Sequence, residues 1–437
     1  MIPEDIRFIA IQNYGSSGTT LLHSLFDSHP NILQMPGLYA RGLYEFWLKN
    51  NHLDINQFID LFFTKYQMFF SAELVDDEFG FKQMGENKDE VIAVDQNKFE
   101  DYFRNNFKKE NFNSKEFIIK CHLSYEHSLG RLNINKKVIV YPLHTIPADE
   151  YRLMFQDFPN LKIINMVRHP ISLYYSSLKH FRSMHLRNKV FFFNFTEATL
   201  SFLLNDFYYV RDKKYPHFTF RYFPEINKSQ HIAVLLEDLH ANPELVTKSL
   251  ARWLNISWSK TMLESTFNGK KWWNRKESIR VNGFIQNAEQ LIKNKSGWRI
   301  DEVRIKSLAR NQINNWGYSN IEPVPFKILI TLFIPFKSEL NSLIYRFHQL
   351  PRIIKRKISR KKFIQNLRKS NKFKLNSVIK NKKKEVKFFL LLLYLISLFI
   401  MPFYIIKDYF KIRLILLKAF IYAKNIESNN IIKKINI

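Results

Sequence analysis

Cysteine is almost absent from this chain, whose 437 residues include only one. A single thiol excludes a framework of internal disulfide bonds and is consistent with a reducing compartment. The sequence has no internal repeat, and its 13 histidines show no zinc-ligand spacing, so we expect no metal. No signal peptide is expected either, because the first apolar run begins at Ile6. These absences agree with a catalytic domain in a reducing compartment such as the cytoplasm.

Acidic residues are scarce after residue 320. Residues 321–437, here called the tail, hold 26 Lys and Arg against 5 Asp and Glu, whereas residues 1–320 hold 41 against 34. The net charge of +28 is therefore mainly a property of the tail. A strongly basic folded domain would indicate nucleic acid. The weak positive charge of residues 1–320 indicates only small anionic ligands, so we expect no nucleic-acid partner.

A loop rich in glycine and hydroxyl groups follows the first apolar run. Residues 14–22 read Tyr-Gly-Ser-Ser-Gly-Thr-Thr-Leu-Leu, which predicts a strand, a turn and the start of a helix. Unpaired amides at a helix start and the close approach that glycine permits make the loop a candidate phosphate site. Thr19 follows Gly18, where the loop of nucleoside triphosphatases has a lysine. The alternative is an ordinary helix start in a turn of small residues.

A second candidate phosphate motif follows a later apolar run. Arg168-His169-Pro170 comes directly after residues 161–167, and Ser176 lies eight residues beyond Arg168. Arginine presents a planar fork of donors that matches a phosphate, and proline suits the first turn of a helix. Taken singly, Arg168 could form a surface salt bridge and Ser176 could be a solvated hydroxyl. Two such motifs in this order, each after an apolar run, favour a shared ligand.

Together the two motifs resemble those of sulfotransferases that use 3′-phosphoadenosine 5′-phosphosulfate (PAPS). Residues 17–22 and Asp27-Ser28-His29-Pro30 are similar to the 5′-phosphosulfate loop of that family, and the resemblance runs from about residue 6 to residue 318. It implies a P-loop-like fold and transfer of a sulfuryl group from PAPS without ATP or metal. The residues that it places at PAPS are Gly15, Ser16, Ser17, Gly18, Thr19 and Thr20 on the 5′-phosphosulfate, and Arg168 and Ser176 on the 3′-phosphate.

Two histidines compete as the general base. An acceptor hydroxyl loses its proton as it attacks sulfur, so a histidine or glutamate must be within hydrogen-bond reach. His144 ends an apolar run 24 residues before Arg168, at the kind of strand end where open α/β sheets bind ligands. His122 has the Lys-x-His pattern of cytosolic relatives, but it lies 46 residues before Arg168, within a helical pattern. Glu45 and Asp149 are weaker alternatives.

The loop differs from many relatives at Ser16, where they carry Lys or Arg. Such a cation neutralises the charge that develops on the leaving phosphate. Here it must come from elsewhere, and Lys276 and Arg280 lie in a late basic segment, where relatives close a loop over the nucleotide. The alternative for this segment is a solvated basic loop.

Apolar runs that alternate with helical patterns predict the fold class. Runs at residues 6–12, 137–144, 161–167 and 231–236 are typical of buried parallel strands. We therefore expect an α/β protein with a parallel sheet, a P-loop-like phosphate-binding loop and helices on both faces. Residues 40–115 are helical and aromatic in pattern and form the candidate acceptor pocket. A helix capped by Ser114 is expected to end near Gly130, and Glu237 and Asp238 are expected to anchor loops.

The tail is predicted to attach the protein to a membrane. Residues 351–387 contain sixteen Lys and Arg, and residues 388–406 then run for nineteen positions without a charge. A helix of that length rises about 28 Å, close to the ~30 Å hydrocarbon core, so it would span or lie in the interface. Residues 409–423 suit an interfacial helix. The predicted divisions are a sulfotransferase domain at 1–320, a basic, mostly helical linker at 321–387 and a membrane segment at 388–437.

The order of these segments predicts the orientation and the function. A basic stretch that precedes the apolar segment predicts a catalytic domain on the cytoplasmic face of the membrane. We expect a PAPS-dependent sulfotransferase whose acceptor is a hydroxyl or amine of a carbohydrate or lipid-linked molecule. Two alternatives stay open: a small-molecule kinase on a P-loop scaffold, which the missing lysine disfavours, and a non-catalytic membrane protein that binds the nucleotide.

Overall fold

A five-stranded parallel sheet forms the centre of the protein. The computed structural model describes residues 5–12, 17–36, 42–74, 80–143, 148–188, 194–201, 203, 228–273, 283–285, 298–319, 331–342, 402–421 and 433–437. The strands are β1 (Arg7–Gln12), β2 (Ile32–Gln34), β3 (Val138–Leu143), β4 (Lys162–Val167) and β5 (His231–Leu235). Their order is β2-β3-β1-β4-β5, and every neighbouring pair is parallel.

The strands form where the apolar runs predicted them. Every residue of β3 and β5 is buried, so both faces of the sheet are covered, as parallel sheets require. The predicted parallel α/β architecture is therefore confirmed. The sequence did not predict β2, because its three residues are too few to show a pattern.

Helices occupy most of the remaining described chain. Their bounds are α1 (Thr19–Ser24), α2 (Leu43–Asn50), α3 (Ile55–Lys65), α4 (Gln96–Asn106), α5 (Ser114–Ser128), α6 (Ala148–Asp157), α7 (Pro170–Asn188), α8 (Phe195–Ser201), α9 (Leu236–Ala241), α10 (Pro243–Leu254), α11 (Arg299–Leu308) and α12 (Arg310–Asn315). A short antiparallel hairpin joins β6 (Thr266–Phe267) to β7 (Lys270–Lys271). Residues 337–342 and 402–421 are also helical, and we call the second of these the tail helix.

An aromatic core fills the space between α2 and α5. Phe58 and Phe62 of α3 pack against Phe117 of α5 with ring centroids 5.1 and 5.2 Å apart, and Phe46 and Phe103 join the same cluster. Tilted and edge-on contacts of this kind add to the stabilisation from burial alone. The predicted helical and aromatic character of residues 40–115 is confirmed in the described part of that range.

The start of α5 corrects one detail of the prediction. The cap is Asn113, whose side-chain oxygen accepts a hydrogen bond from the amide of Glu116 at 2.9 Å. Ser114, the predicted cap, is the first helical residue, and its hydroxyl donates to Asp157 at 2.8 Å. Both residue types cap helices well, so a partner 43 positions away decides which of them does. Gly130 follows the helix with a φ of 68°.

The tail helix packs on the sheet domain. Ile412, Leu416, Ala419 and Phe420 are buried in one cluster with residues of β4, β5, α7 and α11, and Arg413 forms an ion pair with Glu339. The helix predicted at residues 409–423 is therefore confirmed over the described positions. It is not peripheral, however, because one of its faces completes the core of the domain.

The described end of the chain adds to the sheet. The amide of Ala233 in β5 donates to the carbonyl of Lys433 at 2.8 Å, and the amide of Ile435 donates back to Ala233 at 2.9 Å. This parallel bridge continues the sheet beyond β5. None of the described helices is long and apolar enough to cross a bilayer. Most of the predicted apolar segment, residues 388–401, lies outside the described residues.

Candidate functional site

The predicted phosphate motifs lie at one edge of the sheet. Parallel pairing places Gln12 of β1 beside Asn165 of β4, and Val167 of β4 beside Leu235 of β5. The carboxyl ends of these three strands therefore lie side by side. The chain crosses from β1 towards β2 on one side and from β4 towards β5 on the other. Such a divergence opens a crevice outside the carboxyl ends of the strands, where α/β proteins bind ligands.

Gly18 brings the first motif close to β5. Its φ of 90° lies in the left-handed region that favours glycine. A Cβ atom at this position would lie 2.4 Å from Cδ1 of Leu236, the first residue after β5. A larger residue here would need both a left-handed backbone and a shift of the buried Leu236 side chain, so the position favours glycine. The helix α1 begins directly afterwards. The start of α1 thus lies at the carboxyl edge of the sheet, next to the end of β5.

Ser17 contributes a buried hydroxyl to the same loop. The residue is fully buried, and its Oγ has no hydrogen-bond partner among the described residues. Because a buried hydroxyl is costly when unpaired, such an atom is a candidate ligand contact. Thr19 is buried and Thr20 is half-buried at the start of α1. Gly15 and Ser16 lie outside the described residues.

Arg168, the first residue of the second motif, is buried. Burial lowers the pKa of its guanidinium, and the carboxylate of Glu237 opposes that effect. Pro170 begins α7, as predicted, and Ser176 lies half-buried further along the same helix. A buried guanidinium at the carboxyl edge is suited to bind a phosphate through two donors.

Glu237 holds the second motif in place. Its Oε1 accepts a hydrogen bond from the amide of His169 at 3.0 Å, and its Oε2 accepts one from the hydroxyl of Tyr318 at 2.7 Å. The neighbouring Asp238 forms an ion pair with Lys434 at 2.7 Å. Both carboxylates therefore anchor loops, as the sequence predicted.

His169 caps α7 and lies near a further cation. Its Nδ1 accepts a hydrogen bond from the amide of Ile171 at 3.3 Å, and its ring meets Tyr318 edge-on. Burial, together with the positive charges of Lys306 and Arg168, lowers the pKa of His169 to about 4. The exposed Lys306 of α11 is thus a cation beside the second motif. Sequence reasoning missed it, because no pattern connects α11 to the motif.

Asp27, the first residue of the stretch from Asp27 to Pro30, connects the end of α1 to the β6–β7 hairpin. Oδ2 of Asp27 accepts hydrogen bonds from the hydroxyl of Thr266 and the amide of Gly269, at 2.9 and 2.7 Å. Arg131 donates to Oδ1 of Asp27 at 3.2 Å. This part of the resemblance therefore has a structural role, which is to hold the β6–β7 hairpin against the end of α1.

The candidate base His122 lies in the core. It is fully buried on α5, and its Nδ1–H donates to the carbonyl of Ile118 at 2.8 Å. Burial lowers its pKa to about 4. The helical pattern around His122 predicted this placement away from a strand end. His144, Lys276 and Arg280 lie outside the described residues, so their roles stay predictions.

Glu45 and Asp149, the weaker candidates for the general base, are exposed, whereas the neighbouring Glu150 is buried. Glu45 pairs with Lys49 on the surface of α2, and Asp149 pairs with Arg152 on the surface of α6. Glu150 is buried, and this burial, together with the charge of Glu45, raises its pKa to about 7. Glutamates near neutrality are suited to proton transfer. A signal was available, because Glu150 shares the buried helical face of Met154 and Phe158.

Fold and site together define a parallel α/β protein with candidate anion-binding groups at the carboxyl edge of its sheet. The model of the sulfotransferase family matches residues 14–260, which is more than half of the chain. The protein therefore belongs to the sulfotransferase family. A search of curated protein sequences gave no match.

Several solved sulfotransferase structures are similar to this chain. The sulfotransferase domain of the Synechococcus PCC 7002 olefin synthase is 13% identical, and the alignment covers 69% of this chain and 93% of that chain with a TM-score of 0.37. The sulfotransferase domain of the curacin biosynthetic pathway is 14% identical, with coverages of 70% and 98% and a TM-score of 0.39. Sulfotransferase STF9 from Mycobacterium avium is 10% identical, with coverages of 59% and 66% and a TM-score of 0.33.

Proposed function

We propose that this sulfotransferase takes the sulfuryl group from PAPS and transfers it to a hydroxyl or amine of a carbohydrate or lipid-linked acceptor. The observation that carries the proposal is the position of Gly18 and Arg168. Both follow neighbouring parallel strands and lie at the same edge of the sheet. One ligand with a phosphate group at each end can therefore meet both motifs.

The described residues fit such a ligand. The hydroxyl of Ser17 and the amides at the start of α1 form a neutral donor set for the 5′-phosphosulfate. Arg168 provides a cation for the 3′-phosphate, with Ser176 further along α7. The loop lacks the lysine with which nucleoside triphosphatases hold the outer phosphates. This set of donors favours PAPS over ATP, and so disfavours the kinase alternative.

The reaction is an in-line displacement at sulfur. The acceptor oxygen or nitrogen forms a bond to sulfur, the bond from sulfur to the 5′-phosphate oxygen breaks, and the acceptor proton passes to His144 as general base. Negative charge develops on the leaving phosphate, so a nearby cation accelerates the step. Lys276 and Arg280 are the predicted sources of that cation.

Transfer from sulfur-labelled PAPS tests the proposal. We expect label to enter an acceptor in a carbohydrate or lipid extract, and 3′,5′-adenosine bisphosphate to bind the protein in calorimetry. Arg168→Ala should weaken that binding at least about tenfold, because a charge-assisted bidentate contact is lost. Arg168→Lys should recover part of the affinity. The matched control is Arg152→Ala, which removes an exposed arginine from α6.

The same assay separates the alternatives. Phosphate transfer from ATP and magnesium, with no response to PAPS, would establish a kinase instead. Tight binding of the bisphosphate without label in any acceptor pool would establish a non-catalytic nucleotide-binding protein. Unchanged bisphosphate binding by a folded Arg168→Ala protein would refute the site.

A further inference from the structure

We propose that the exposed side of the tail helix docks on a lipid surface that contains anionic lipids. Packing fixes which side of this helix faces outwards, since Ile412, Leu416, Ala419 and Phe420 are buried in the domain. The residues on the opposite side are large and apolar, and they are Phe403, Ile406, Phe410, Leu414 and Ile421, with exposed fractions of 75%, 54%, 65%, 53% and 57%.

These exposed side chains form one continuous stripe. Phe403, Phe410, Leu414 and Ile421 are separated by seven, four and seven residues, which keeps them on one line along a helix. The line rises about 27 Å over this length. A contiguous apolar stripe of that extent on a folded protein indicates an interaction surface rather than scattered exposed residues.

Lysines border the stripe on one side. Lys407, Lys411 and Lys418 are exposed, and their spacing of four and seven residues places them on a line next to the apolar one. The only acidic residue of the helix, Asp408, is partly buried. An apolar face with a basic border is the pattern of helices that lie in the interface of anionic membranes.

An apolar groove lies beside the stripe. It has a volume of about 260 Å³ and separates the tail helix from residues 335–342, with Leu340, Ile405, Ile406 and Phe410 among its lining residues. Phe333 and Ile334, which precede it, are also exposed. The groove widens the apolar surface to more than one helix. Its mostly apolar lining suits an acyl chain.

Charge favours lipid over a second copy of this chain. Lys411 pairs with Glu197 at 3.1 Å, so Lys407 and Lys418 carry most of the argument. Two copies facing each other through the stripe would bring these lysines of both copies together, whereas anionic headgroups neutralise them. The sequence that precedes the helix continues the same chemistry, because residues 388–401 contain no charge and residues 351–387 contain sixteen Lys and Arg. The proposal is independent of the identity of the sulfuryl donor.

Flotation of the full chain with vesicles tests this surface. We expect binding to phosphatidylcholine vesicles that contain about 30% phosphatidylserine and much weaker binding to pure phosphatidylcholine. The double variant Phe410→Ser with Leu414→Ser should lower the partition coefficient at least about tenfold, because it removes apolar area from the interface. The control is Leu74→Ser with Leu245→Ser, which changes two side chains of similar exposure outside the stripe.

The lysine border has its own variants. Lys407→Glu with Lys418→Glu should lower binding to the anionic vesicles by at least about fivefold per lysine, while Lys407→Arg with Lys418→Arg should retain it. Affinity for 3′,5′-adenosine bisphosphate should be unchanged in every one of these variants, which separates this test from that of the proposed function.

Three results would overturn the proposal. The first is no vesicle binding by the wild-type chain. The second is unchanged binding by the folded Phe410→Ser and Leu414→Ser protein, which would move attachment elsewhere in the chain. The third is a concentration-dependent dimer in size-exclusion chromatography that the serine variant abolishes while vesicle binding persists, which would identify a second copy as the occupant.

Discussion

The carboxylate of Glu237 accepts a hydrogen bond from the backbone amide of His169, with 3.0 Å between the nitrogen and Oε1. The two residues follow β5 and β4, and Tyr318 donates to the other oxygen of Glu237 at 2.7 Å. One buried side chain therefore joins the turn that carries Arg168 to the neighbouring strand and to the segment after α12. The position of the guanidinium depends on this connection.

Removing the Glu237 carboxylate should disturb both the fold and the site. Glu237→Ala leaves the His169 amide and the Tyr318 hydroxyl without their acceptor, which should cost about 2–4 kcal/mol of unfolding free energy. Tyr318→Phe removes one of the two bonds and should cost about 1 kcal/mol. Urea unfolding measures both. Stability equal to that of the wild type in Glu237→Ala would show that the carboxylate is not an anchor.

Gly18→Ala should destabilise the protein and weaken donor binding. The new Cβ requires a left-handed backbone and approaches Leu236 to 2.4 Å, and together these should cost about 2–3 kcal/mol. Gly130→Ala is the matched control, because its φ is also positive but no atom lies within 4 Å of a Cβ there. Urea unfolding and bisphosphate calorimetry of both variants separate backbone strain from the close approach. An equal loss of stability in the two variants would contradict the role of Leu236.

Ser17→Ala should lower donor affinity without lowering stability. The buried Oγ has no partner among the described residues, so its removal costs the folded protein nothing and can add a few tenths of a kcal/mol, ~0.5 at most. Bisphosphate affinity should fall about tenfold. Ser24→Ala is the opposite control, since Ser24 donates to Leu21 and contacts Ser265, both at 2.7 Å. A melting temperature that falls in Ser17→Ala while affinity is kept would indicate a structural hydroxyl.

Substitution of His144 and of His122 should have different effects on turnover and on stability. His144→Ala should reduce turnover by about 10²- to 10⁴-fold at unchanged stability, as expected for a general base. His122→Ala should keep turnover but lose about 1–3 kcal/mol of unfolding free energy, because the buried ring donates to Ile118. Steady-state kinetics and urea unfolding provide the two readouts. A His144→Ala enzyme with normal turnover would redirect the search to Glu150.

The unfolding free energy should decrease as pH rises, because Glu150 ionises. Burial raises its native pKa to about 7, whereas the unfolded chain ionises near 4.3. Between these values the native state binds more protons than the unfolded state, so stability decreases as pH increases and levels off above pH 7. The unfolding free energy of Glu150→Gln relative to that of the wild type should therefore increase by about 1–2 kcal/mol from pH 5 to pH 8, after allowance for solvent screening.

Unfolding of Glu150→Gln and the wild type in urea at both pH values measures that gain. Asp149→Asn is the control, because its carboxylate is exposed on the same helix and should give the same difference from the wild type at both values. A pH-independent difference for Glu150→Gln would show that the carboxyl is ionised throughout.

Much of the fold and part of the site follow from local sequence. Four strands were predictable because a strand buried on both faces must be apolar along its whole length. The loop at Gly18 and the turn at Arg168 were identifiable because each follows such a strand. Since the carboxyl ends of parallel strands meet at one edge, their proximity also follows once the sheet is parallel. The general base and the basic segment at Lys276 and Arg280 stay predictions, because both lie outside the described residues.

Other features depend on partners that are distant in the chain, so only the tertiary structure decided them. Glu237 accepts a hydrogen bond from Tyr318, which lies 81 positions later in the chain. Ser114 does not cap α5, because its hydroxyl donates to Asp157 instead. The tail is the clearest case. Its apolar and basic composition already indicated an interface, but one face of the helix at residues 402–421 completes the core of the domain. Composition counts the apolar side chains of a helix, whereas packing determines which of them remain exposed.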